Sequence, residues 1–115
     1  NKEVFKTSED NIIRDFITPP DFYRLIQAII DFKPINTTLD CYTKSPISKF
    51  DLLAELEREF GLQYSVDKNI NIINATGVKM NYYSTNRIAK NIGYNPKNTS
   101  RDGVVREIYK SLGGQ

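Results

Sequence analysis

Apolar residues return at helical spacing in four stretches of the chain, and each stretch carries a start or stop signal. From Asp21, read as an N-cap, Phe22, Leu25, Ile26, Ile29 and Ile30 occupy the i, i+3, i+4, i+7 and i+8 positions of one face. The stripe predicts a buried helix face running to about Asp31, with Pro34 beyond its end. In "SKFD" Ser48 can cap a second helix and Asp51 can reach back to it; Phe50, Leu53, Leu56 and Phe60 form its buried stripe, and Gly61 stops it. A third, shorter helix is expected from Ser84 or Thr85, burying Ile88, Ala89 and Ile92 and ending at Gly93. A fourth starts near Thr99 or Ser100 and buries Val104, Val105, Ile108 and Leu112 ahead of Gly113.

Strand signals lie between these helices: "EVFKT", "NIIRDFI", "TTLDCYT" and "QYSVD" have suitable residues and lengths, and "NIINAT" is a weaker candidate. Alternation in the second places Ile13, Asp15 and Ile17 on one face and Ile12, Arg14 and Phe16 on the other, so Arg14 and Asp15 should not pair with each other. The longest irregular stretch, "TGVKMNYYS", holds Tyr82 and Tyr83, which either line a site or pack over the edge of the core. No repeat, low-complexity segment or linker interrupts the pattern. The expectation is one α+β domain over residues 1–115, a small lobe of about four helices with short strands.

Composition narrows the function. Hydrophobic residues at 39% and aromatics at 11% belong to a chain that folds. A net charge of +2, from basic residues spread along the chain, disfavours a nucleic-acid partner. One cysteine, Cys41, excludes an internal disulfide framework and reads as a small buried hydrophobe, in keeping with a reducing, cytoplasmic setting. No run approaches the roughly 20 apolar residues of a membrane span, and "NKEVFKTSED" lacks a signal-peptide core, so no membrane is expected. Asn36, Asn74 and Asn98 match the glycosylation pattern, which matters only in a secreted protein. The chain has no histidine, which removes the commonest general base, most zinc sites and every Ser-His triad. It opens on Asn1 rather than Met, which suggests a piece of something longer.

Arg14 stands out because a guanidinium among apolar neighbours is pre-organised for bidentate bonding to phosphate or carboxylate oxygens. Its competing reading is a partly buried ion pair with an acidic side chain. There is no phosphate-cradling Gly-rich loop and no metal-ligand spacing. Glu55, Glu57 and Glu59 read as a solvated helix face.

In order, these segments resemble the C-terminal part of an extended short-chain dehydrogenase/reductase of the nucleotide-sugar epimerase/dehydratase kind. "IIRDFITPPDF" is similar to the family segment Arg-Asp-Phe/Tyr-Ile-His-Val-x-Asp, carried here by Arg14, Asp15, Phe16, Ile17 and Asp21. "LDCYTKSPISKFDLL" resembles Asn-Val-Gly-x-Gly-x-x-x-Ser-x-x-Glu-Leu, with Ser48 and Leu52 in place. "YYSTNRIAKNIGYNP" resembles Asp-x-Ser-Lys-Ala-x-x-x-Leu-Gly-Trp-x-Pro, with Arg87 at the lysine and Gly93, Tyr94 and Pro96 at the Gly-Trp-x-Pro positions. "SRDGVVREIYKSL" looks like the family's closing helix.

The resemblance implies a substrate-binding lobe in which Arg14 contacts the pyrophosphate of a nucleotide sugar, with Tyr82, Tyr83 and Lys79 bordering the site. It implies NAD or NADP as the cofactor of the intact enzyme, bound by a Rossmann domain whose Gly-rich turn and Tyr-x-x-x-Lys pair do not occur in this chain. The expected partners are therefore the nucleotide-sugar substrate and that missing domain, the pathway is sugar-nucleotide or polysaccharide biosynthesis, and the lobe by itself is expected to be inactive and mainly monomeric. Some positions depart from the pattern. Tyr42 and Lys44 stand where the family has glycines, Thr18 replaces its histidine, Pro19-Pro20 replace Val-x, and no Arg-Pro-Gly-Asp segment supplies a second phosphate arginine. The alternative is a non-enzymatic small α+β interaction domain.

Overall fold

A computed structural model describes residues 4–32, 39–68 and 81–113. Within them the order is β1 (Phe5–Thr7), β2 (Ile13–Arg14), α1 (Pro19–Asp31), β3 (Ile47–Ser48), α2 (Lys49–Phe60), β4 (Tyr64–Val66), β5 (Asn81–Tyr82), a 3-10 turn (Ile88–Ile92) and α3 (Ser100–Gly113). This is a small α+β domain. β1 pairs in parallel with β4, while β2 lies between an antiparallel β3 and a parallel β5.

Local signals set the helix ends. Ser48 caps α2 by accepting from the Asp51 N–H at 3.2 Å. Gly61, at φ 72°, ends it in the left-handed conformation and donates to the Glu57 carbonyl at 2.9 Å. α1 starts three residues before the expected position, because Pro19 and Pro20 fit its first turn, where a missing N–H costs nothing. Asp21 is thus not its N-cap: Thr18 is, and the Asp21 carboxylate turns inward.

Three α-helices, not about four, occupy the described residues, because the third expected helix is a 3-10 turn of five residues. The Ser84 hydroxyl takes the Asn86 N–H at 3.0 Å and the Asn86 side chain takes the Ile88 N–H at 2.9 Å, holding the chain in turns that delay helix entry. Gly93, at φ 94°, then closes it. "TTLDCYT" is also not a strand over its described part, 39–43. Side chains satisfy its backbone where a neighbouring strand would otherwise do so: the Thr43 N–H donates to Asp15, and the Tyr42 carbonyl accepts from the Tyr94 hydroxyl. "NIINAT" lies outside the described residues.

The apolar core is Leu25, Tyr42, Ala89 and Tyr94, with Ala28, Leu39 and Cys41 packed against it. Tyr42 and Tyr94 meet edge to face at 5.0 Å between ring centroids. The predicted α1 stripe is buried only at Leu25; Phe22, Ile26, Ile29 and Ile30 are exposed. The physical reason is the partner: among the described residues α1 packs mainly on the five-residue 3-10 turn, which meets the Leu25 side of the stripe and is too short to cover the rest. The radius of gyration is 17.0 Å, against about 13 Å for a globule of this length. α3 approaches Thr18 closely through Gly103, where an added Cβ would lie 3.1 Å from the Thr18 side chain. Leu112, expected to be buried, is exposed.

Candidate anion-binding cleft

Pairing of β2 with β3 builds one face from alternate residues. The antiparallel register sets Ile13 opposite Ser48 and Arg14 opposite Ile47, and the Lys49 N–H donates to the Ile12 carbonyl at 2.7 Å. Opposed residues share a face, so Ile12, Arg14, Ile47 and Lys49 point to one side. They line a cleft of about 260 Å³, floored by Phe16 and Leu52 and edged by Thr7 and Ser8.

Arg14 is exposed and lies 4.6 Å from the centroid of the Tyr82 ring, its register partner on β5. Among the described residues no carboxylate lies within ion-pair distance of it, so the ion-pair reading finds no partner there. Asp15 points the other way, as alternation requires. It accepts from the Thr43 N–H at 2.9 Å, from the Thr43 hydroxyl, and from the Ser100 hydroxyl at 2.7 Å. Ser100 in turn accepts the Phe16 N–H at 2.8 Å. Of the candidate site residues, then, the fold brings Arg14 and Tyr82 together. Tyr83 is exposed like Tyr82, and neither tyrosine lines the cleft itself. Lys79 lies outside the described residues.

Lys49 was not among the candidates, because only the β2–β3 register puts it beside Arg14. Its Nζ donates to the Ser8 carbonyl at 2.7 Å and to the Ser8 hydroxyl at 3.2 Å. Burial pushes its pKa down from the usual lysine value, while Asp10 pulls it back up.

Two acidic residues have roles the sequence pattern did not reveal. Asp21 is fully buried and accepts the Lys97 N–H at 2.8 Å, the Asn98 N–H at 3.0 Å and Arg24 at 2.8 Å. Glu55 is not part of a solvated face. It is covered by Arg58 and by Arg101, whose Nε and Nη2 reach its two oxygens at 2.9 and 3.1 Å. Hydrogen bonds from Arg101 and Arg58 hold its carboxyl down to about 2.

Asn98 is 5% exposed, so its glycosylation pattern is inaccessible in the folded chain. Asn36 and Asn74 lie outside the described residues. Burial pushes the Cys41 thiol pKa up, away from reactivity. Among the described residues no group of His, Cys, Asp or Glu could hold a metal, and no helix is long and apolar enough to cross a membrane. The cleft presents two cationic side chains, Arg14 and Lys49, and the hydroxyls of Thr7 and Ser8 beside the apolar Ile12, Phe16, Ile47 and Leu52. Compared with models of protein families, with curated proteins and with solved structures, the chain finds no match in any of the three.

Proposed function

We propose that the chain is the substrate-binding lobe of an NAD(P)-dependent nucleotide-sugar epimerase or dehydratase, with Arg14 gripping the diphosphate of the substrate. The observation that carries this reading is the state of Arg14: laid on the Tyr82 ring, edging a cleft, and without a carboxylate partner among the described residues. A guanidinium in that state keeps its donor fork for an oxyanion. Its neighbour Asp15, by contrast, is consumed inside the lobe, which fixes the strand on which Arg14 rides. In this reading the lobe orients the sugar and a dinucleotide-binding domain supplies the hydride acceptor, so that the lobe alone is inactive.

The test is titration of the isotopically labelled chain with a panel of nucleotide sugars, read by NMR so that millimolar affinities remain visible. Resonances of Arg14 and Tyr82 are expected to shift, and Arg14→Ala to weaken binding by about one to two decades, the value of a charge-assisted hydrogen bond. Unmoved cleft resonances across the panel would remove the proposal.

The exposed apolar stripe of α1 supports a second reading, a non-enzymatic interaction domain that docks a protein there. In the first reading the dinucleotide-binding domain is what would cover that stripe. Cleft shifts with nucleotide sugars are expected only in the first.

A further inference from the structure

The cleft beside Arg14 holds a second cation that no family motif places there. Just beyond the β2–β3 ladder the Lys49 N–H donates to the Ile12 carbonyl at 2.7 Å, and Lys49 and Arg14 line the same cleft. Among the described residues, neither cation has a carboxylate at ion-pair distance.

The first turn of α2 cannot supply the positive end of this site through its backbone. The Lys49 N–H is spent on Ile12, the Phe50 N–H on the Asn11 side chain and the Asp51 N–H on Ser48. Positive charge in the cleft therefore comes from side chains. Ser8 holds two of the three donors of the ammonium, whose Nζ also lies 4.9 Å from the centroid of the Phe50 ring, so a ligand would take the remaining donor from that ring. Those two bonds also fix the ammonium at the cleft edge, so less side-chain entropy is lost on binding. Ser8 accepts from Lys49 and keeps its own hydroxyl proton to donate.

We infer that Lys49 is the second phosphate-binding cation of this cleft, so that Arg14 and Lys49 each hold one phosphoryl group of a diphosphate. This rests on the anion-binding reading of Arg14 and adds a selectivity to it: two cations set apart on one face suit a ligand with two phosphoryl groups better than one with a single group.

The experiment titrates the labelled 115-residue chain with inorganic pyrophosphate and, separately, orthophosphate, read at Arg14 and at the Lys49 ammonium by NMR. Wild type is expected to prefer pyrophosphate by about tenfold, one charge-assisted bond, with the Lys49 ammonium shifting. Lys49→Met is expected to abolish the preference while Arg14 still responds, and Lys49→Arg to keep it. Melting curves establish that each variant is folded. If Lys49→Met does not fold, the wild-type ammonium resonance decides, because pyrophosphate that moves Arg14 and leaves the Lys49 ammonium unmoved overturns the inference. A folded Lys49→Met that keeps the full preference also overturns it, while the Arg14 reading survives. Arg14 resonances unmoved by either ion overturn both.

Discussion

Replacing Asp21 with alanine tests whether buried carboxylates, more than the small apolar core, hold this lobe together. The carboxylate is fully enclosed and takes two backbone N–H groups, from Lys97 and Asn98, together with one donor of Arg24. Asp21→Ala leaves the two N–H groups without an acceptor in the interior, and each such orphan costs about 1–3 kcal/mol. The lost pair with Arg24 contributes less, because that side chain is 41% exposed and screened; about 1 kcal/mol is its upper limit. The expected loss is therefore about 4 kcal/mol, within a range of about 2–7, against a total of about 5–15 for a domain. Urea denaturation followed by circular dichroism measures it. Arg24→Ala should cost under about 1 kcal/mol in the same assay. Asp21→Asn should fall between the two, because an amide oxygen can still serve one N–H. A loss below about 1 kcal/mol for Asp21→Ala, at unchanged denaturant slope, would refute the argument.

Two further predictions follow from the contacts of α3. Glu55 is depressed from the ordinary value near 4.5 to about 2. Its latch to Arg101 therefore contributes stability that is complete above the ordinary carboxylate pKa and is lost as pH falls toward 2. Wild type should lose more stability than Glu55→Gln between those limits, and parallel pH profiles would contradict the latch. Gly103→Ala improves helix propensity by about 1 kcal/mol, yet its Cβ would meet the buried Thr18 side chain at 3.1 Å. A net loss in melting temperature is expected; the Thr18 methyl and hydroxyl both lie 3.1 Å from the added Cβ, so Thr18→Ser should relieve it in part and Thr18→Ala more fully in the double variants.

Features that depend on neighbours within about one helical turn were legible along the chain. The Ser48 cap, the Gly61 and Gly93 stops and the span of α2 all follow from contacts between residues three or four apart. The opposite facing of Arg14 and Asp15 follows from strand alternation alone. The amphipathic pattern of α1 was also readable, but whether its stripe would be covered was not. That depends on which element packs against it, and among the described residues its main partner is a short 3-10 turn that leaves most of the stripe exposed.

What the tertiary structure decided is which distant groups meet. Asp21 looked like a cap because aspartate before an apolar run usually is one; its two backbone donors lie 76 and 77 residues away. Glu55 looked solvated because its helix neighbours are charged, until α3 brought Arg101 onto it. Lys49 became a cleft residue only through the pairing of β2 with β3. Local sequence determines backbone conformation through short-range sterics and capping. The partner of a buried charge is set by whichever segments the fold packs together, because a desolvated charge must find its hydrogen bonds there and not in water.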